Sequence, residues 1–278
     1  MPTRNWLALP SDLMANILQR IGVIDVLENA QKVCTTWREI CKDPAMWTVI
    51  YMEKNAAPSE LCAYLEMCKD AVDRSQGRLL DFTILGFCDH ELLRYAVDRS
   101  SKLRRLEILF SSVHMYGIWR EAFKKLPFLE ELSLADISPE DIEAARCYCP
   151  LLKTLKVNKT IEFRNMEAEE ESMATQNELP LAIGKNLPRL THLELLGNNM
   201  NNFGLQAILD GCCHLESLDL RGCLYVDLNG DLGKRCSQQI KDLKLPRDSL
   251  EEGYLDSMET CVYRAYDYDG STNFREHE

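Results

Sequence analysis

One short pattern, L-x-x-L-x-L, returns so often in this 278-residue chain that it dictates the kind of fold available to it. It stands at Leu79-Phe82-Ile84, Leu103-Leu106-Ile108, Leu129-Leu132-Leu134, Leu152-Leu155-Val157, Leu190-Leu193-Leu195, Leu215-Leu218-Leu220 and Ile240-Leu243-Leu245, and Trp47-Ile50-Met52 fits as an opening copy. From Leu79 onward the copies start 24, 26, 23, 38, 25 and 25 residues apart. Alternation within each copy marks a short strand with one buried face. One such strand cannot bury its leucines alone, so neighbouring copies must stack and share a continuous core. The fold class is therefore α/β, with short parallel strands alternating with helices in a solenoid.

The stretches between copies read as helices. Ser138 is placed to cap one, with Pro139 at its first position and Glu140 and Asp141 where the helix dipole favours acids. Phe203 to Leu209 has helical apolar spacing before Gly211 stops it. The 38-residue interval contains Lys159 to Glu178, with six acids against two bases, expected as a mobile surface insertion. Residues between the leucines point away from the core and form columns. The central column is Thr83, Glu107, Ser133, Lys156, Glu194, Asp219 and Lys244. Beside it run Leu85, Leu109, Ala135, Asn158, Leu196, Arg221 and Pro246, expected as an exposed, partly apolar row with Leu109, Leu196 and Arg221 as interface anchors.

The first fifty residues follow a different period. Pro10 presets the opening turn of a helix, and Leu13, Ile17 and Ile21 share one of its faces. Gly22 is a natural stop. A second stripe carries Val26, Ala30, Val33, Trp37 and Ile40, flanked by Cys34 and Cys41, and ends at Pro44. Short helices with this many large apolar residues exceed what one small core needs, which signals an interface. The plainer alternative is a helical cap on the repeats.

This stretch resembles the F-box family: Leu9-Pro10, Ile17-Leu18, Val33-Cys34, Trp37-Arg38 and Asp43-Pro44 followed by Trp47 stand in that family's order and spacing. It departs at Gly22, where the family usually carries a larger residue. The resemblance implies a substrate receptor of cullin-based SCF ubiquitin ligases, docking on a Skp-type adaptor through Trp6, Leu9, Pro10, Leu13, Ile17, Leu18, Ile21, Val26, Leu27, Val33, Trp37 and Trp47. From Leu79 to Pro246 the chain is similar to the cysteine-containing leucine-rich repeats that accompany F-boxes, with Asn198 and Cys223 at the turn position and Cys213, Leu215, Leu218, Leu220 and Cys236 around it. Ser111, Ile137 and Thr160 depart from that turn in other copies. Together with the Asn5-Trp6 lead-in, the chain looks most similar to plant F-box/LRR proteins. The implied division is an F-box over 1–50, repeats over 51–246 and an acidic tail over 247–278. The target would lie on Glu107, Leu109, Ser133, Lys156, Glu194, Leu196, Asp219, Arg221 and Lys244.

Composition narrows the alternatives. Twelve cysteines include no C-x-x-C pair, and neither Cys147-x-Cys149 nor Cys212-Cys213-His214 has a second ligand pair at finger-like spacing, so no metal or other cofactor is expected. Net charge is −12, of which the insertion and the tail supply −10, which argues against nucleic acid. Asp267 to Asn273 superficially suggests a calcium loop, but its glycine comes early and no glutamate closes it. No nucleotide-binding, metalloprotease or nucleophile-elbow motif is present, so no enzyme is expected. No apolar run approaches a membrane span, and the start of the chain lacks a secretory core, which points to nucleus and/or cytoplasm. The runner-up function is a scaffold that binds partners without ubiquitin transfer.

Overall fold

The computed structural model describes residues 9–53, 60–109, 115, 117–158 and 175–249. Trp6, most of the expected insertion (159–174) and most of the acidic tail (250–278) lie outside the described residues.

Eight strands form one parallel sheet in sequence order: β1 Val49–Glu53, β2 Asp81–Leu85, β3 Arg105–Leu109, β4 Glu131–Leu134, β5 Thr154–Val157, β6 His192–Glu194, β7 Ser217–Asp219 and β8 Asp242–Lys244. Each is the strand of one L-x-x-L-x-L copy, including the opening one at Trp47. The register aligns the copies: Ile50, Phe82, Leu106, Leu132, Leu155, Leu193, Leu218 and Leu243 are successive partners. Repetition is the cause, since any other register would set leucines against solvent-facing positions.

One helix returns the chain between each pair of strands: α5 Leu61–Arg74, α6 His90–Arg99, α7 Trp119–Phe123, α8 Pro139–Tyr148, α9 Glu178–Asn186, α10 Asn202–Gly211 and α11 Asp231–Gln239. Their starts are written locally. Ser138 Oγ accepts from the Asp141 N–H (3.1 Å), Asp89 from Leu92 (2.7 Å) and Asn201 from Phe203 (2.9 Å). Asn198 and Cys223 work as the repeat turn requires. Asn198 Oδ1 accepts from the Met200 N–H (2.9 Å), and the buried Cys223 thiol donates to the Leu195 carbonyl (3.0 Å). Ile137, in the irregular copy, fills its turn as a buried apolar residue.

The N-terminal module is more broken than its apolar stripes imply. Helix α1 spans Ser11–Arg20, and Pro10 stands just before it, its carbonyl accepting the Met14 N–H at 3.0 Å. Gly22 turns the chain at φ +92°, a value that costs glycine nothing and explains the departure from the family pattern. The second stripe is not one helix. It runs as α2 Val23–Asp25, a π-helical turn Val26–Ala30 and α3 Gln31–Val33, then extends at Cys34 before α4 Thr35–Ile40. Cys34 caps α4, its sulfur accepting the Trp37 N–H at 3.5 Å.

A single buried cluster runs from Met14 and Leu18 through Trp47 and the leucine columns to Ile240. At its far end Leu243 is only partly buried and Leu245 is exposed, because no further repeat among the described residues covers them. No helix among the described residues is long and apolar enough to cross a membrane.

Candidate docking faces

Helix α1 has two apolar stripes, and only one faces inward. Met14 and Leu18 are buried against the core, whereas Leu9, Leu13, Ile17, Ile21 and Val33 are 36–63% exposed. Leu13, Ile17 and Ile21 recur every four residues, so they form a continuous ridge on the outside of the helix. Pro10 is exposed at its head and Trp37 is half-buried.

Four expected docking residues are corrected by burial. Leu18, Val26 and Leu27 belong to the module's interior, so they support the ridge from beneath and offer no surface. Trp47 is also buried, because it is at once the end of the module and the first apolar position of the opening repeat. Its indole Nε1 donates to the Cys41 carbonyl (2.9 Å), and the Arg74 guanidinium of α5 lies 5.3 Å from its ring centre. Arg74 also donates to Gln31 Oε1 (3.0 Å). A partly covered cation over tryptophan is worth about 1 kcal/mol, so this residue helps tie the module to the repeats. Its place in Trp47-Ile50-Met52 was the signal for that role.

On the strand face the central column forms as the register demands: Tyr51, Thr83, Glu107, Ser133, Lys156, Glu194, Asp219 and Lys244 stand side by side. Its charged members are all paired, some within the column and others with the arginines beside it. Lys156 lies 3.8 Å from Glu194, and Asp219 accepts from Arg221 (2.7 Å) and Lys244 (3.4 Å). Glu107 accepts from Arg105 (2.7 Å) and Ser133 (3.2 Å). Burial raises the Glu194 carboxyl above its usual range against the pull of Lys156. Asn158 Oδ1 is buried and has no hydrogen-bond partner among the described residues.

The adjoining row is not the exposed strip expected. Leu109 and Leu196 are only 7% and 5% exposed, Asn158 is buried, and Arg221 is largely covered and clamped to Asp219. Strand alternation holds only within the ladder. Gly197 and Gly222, at φ +62° and +78°, turn the chain just beyond Leu196 and Arg221, outside the ladder, whereas Leu109 is the last residue of β3 and is buried although it pairs with Leu85. Leu109 and Leu196 are therefore packing residues.

The cysteines act as apolar fillers. In each suspicious pair one sulfur faces in and the other out: Cys149 and Cys212 are buried, Cys147 and Cys213 exposed. Burial pushes the thiols of Cys149, Cys212 and Cys223 up to about 12, which keeps them protonated. Among the described residues no group of three or more His, Cys, Asp or Glu could hold a metal ion. Iodoacetamide on the native chain is therefore expected to label Cys62, Cys147 and Cys213 and to spare Cys68, Cys149, Cys212 and Cys223 until denaturant is added. Peptide mass mapping reads the pattern, and early labelling of Cys223 would contradict the repeat-turn packing.

A helical module with an unburied apolar ridge, sharing one core with a solenoid of parallel strands, defines a leucine-rich-repeat protein headed by a helical module. The comparisons give the family. The F-box domain model matches residues 6–49. Putative F-box/LRR-repeat protein 23 of Arabidopsis thaliana is 44% identical over 88% of this chain and 54% of its own length. F-box protein SKIP19 of the same plant is 43% identical over 92% of this chain and 82% of its own, and Putative F-box/LRR-repeat protein 22 is 42% identical over 89% and 79%. The chain thus spans about half of the first and about four-fifths of the other two. It belongs to the F-box/LRR-repeat family.

Proposed function

We propose that this chain is the substrate-recognition subunit of an SCF-type ubiquitin ligase, holding a Skp-type adaptor, and through it a cullin, on the ridge of α1, and a target protein on the strand face. The observation that carries the reading is the ridge itself. Leu9, Leu13, Ile17, Ile21 and Val33 stay exposed while Met14 and Leu18 on the same module are buried. Apolar anchors left in water on a well-packed module are what an interface core requires. The shared core adds a mechanism. With Trp47 and Arg74 locking module to repeats, the target is held at a fixed distance from the adaptor. Ubiquitin transfer then gains from proximity to a conjugating enzyme bound elsewhere, and no residue of this chain takes part in the chemistry. Degradation of the target and residence in nucleus and/or cytoplasm belong to the same proposal.

Deleting residues 1–50 is a poor test, because it removes Trp47 and Ile50 from the solenoid core. Point changes on the ridge separate the two faces. Affinity purification of the chain with and without proteasome inhibitor is expected to show repeat-bound partners rising at least about twofold under inhibition, and only when the ridge is intact. Partner levels indifferent to both would favour the scaffold reading.

A further inference from the structure

Resting on the reading that the strand face receives the target, the geometry points to its chemistry: strands β1–β4 seat an extended basic segment of another protein. A lysine or arginine side chain of that segment enters the carboxylate cluster around Arg105, and a nearby apolar residue rests on Val49 and Tyr51.

The charge balance is uneven along the face. Asp81, Glu107 and Glu131 converge on Arg105 at 3.2, 2.7 and 3.7 Å, and no other cation among the described residues lies within ion-pair reach of any of them. Three carboxylates against one guanidinium leave two negative charges uncompensated. Asp81 and Glu107 are largely covered, so salt screens their field less than it would an open surface. Over β5–β8, by contrast, Lys156 pairs with Glu194, and Arg221 and Lys244 share Asp219. A second cation is wanted at one end of the face and not at the other.

Shape and polarity agree. Thr83 and Ser133 are small and buried on either side of Glu107 in the central column, so the floor is low around that carboxylate. Val49 and Tyr51 are 55% and 53% exposed on β1, where the register partners on β2 are Asp81 and Thr83. Val49 and Arg105 are two strands apart, roughly 10 Å at the usual strand spacing, which an extended ligand spans within four residues, the separation that keeps both side chains on one face. The chain's own tail is an unsuitable occupant, since residues 247–278 carry nine acids against three bases.

The test uses the full chain bound to its Skp-type adaptor and a fluorescein-labelled nonapeptide library. Leucine and arginine are fixed four residues apart, which puts both side chains on one face of an extended peptide, in a serine and threonine background, and a matched library has glutamate for arginine. At near-physiological salt the arginine library is expected to raise the anisotropy and the glutamate library not to. Glu131→Gln with Tyr51→Ala is expected to weaken binding at least about tenfold, while Glu140→Gln with Phe203→Ala, which removes one exposed acid and one exposed aromatic from the helices, changes it less than about twofold. Equal loss in both double variants would reduce the effect to general attraction by an acidic protein and overturn the proposal. So would failure of the arginine library to bind. Adaptor retention, followed in every sample, reports on the receptor reading separately: its loss would strike that reading and leave the charge argument standing.

Discussion

Aspartate at both Leu13 and Ile17 is expected to abolish capture of a Skp-type adaptor while the chain keeps its fold. Both side chains lie on the exposed ridge of α1, 52% and 37% exposed, so in the free protein the change costs little packing, and surface substitutions usually stay within about 0.5 kcal/mol each. A chain of this size then melts within about 2 °C of the parent. In the complex the same positions would be desolvated, and each would place an unpaired carboxylate in an apolar interface. Losing two anchors at about 2 kcal/mol each removes roughly three orders of magnitude in affinity. The adjacent pair gives the contrast. Met14 and Leu18 are buried on the same helix, and aspartate there should unfold the module before any binding is measured. Co-purification with the adaptor, read beside thermal melting, separates the two cases. Undiminished capture by the Leu13/Ile17 variant would move the adaptor off this ridge.

The contrast also shows where sequence reasoning stops. Helical spacing identified Leu13, Ile17 and Ile21 as one face, but α1 is apolar on two faces, and period alone does not say which one the core takes. Only the packing of Met14 and Leu18 decides. The strand register was fully legible, because every copy repeats the same spacing and a slip would turn its leucines to the wrong side. Column membership followed from that register. What escaped was whatever depends on where the backbone leaves regular structure. Leu196 looked exposed by extending strand alternation to the Gly197 turn, where it no longer applies, and Leu109 because alternation alone does not show that the last residue of β3 is covered. The break at Cys34 and the π-helical turn before it were hidden because an apolar stripe tolerates several local windings. Pairings such as Asp81 and Glu131 with Arg105 were invisible for another reason. Residues in neighbouring columns can be named from sequence, but which side chain reaches which is settled by rotamers.

Two helical glycines lead to the second large effect. Gly211 reads from sequence as a simple helix stop, yet in the fold α9 and α10 form the most extensive helix contact, and glycine is what lets their backbones meet. A Cβ on Gly184 would lie 2.3 Å from the Ala207 carbonyl oxygen, and one on Gly211 only 1.9 Å from the Gly184 carbonyl oxygen. Both distances fall well inside the roughly 3.5 Å of a good nonbonded contact. The obstacle in each case is backbone, so no rotamer relieves it and the helices must separate. Two effects then compete. Alanine in place of glycine favours a helix by up to about 1 kcal/mol, whereas forcing volume into a packed contact typically costs 1–3 kcal/mol and sometimes more. With main chain on both sides of the clash the upper end applies, and Gly184→Ala and Gly211→Ala are each expected to lose about 2 kcal/mol, a fall of roughly 4–8 °C in Tm. The sign is decisive: without the close approach, alanine would raise Tm through helix propensity. Because α9 and α10 lie far along the chain from α1, both variants are expected to hold the adaptor normally below the transition, and a rise in Tm for either would mean that the two helices stand further apart than this packing requires.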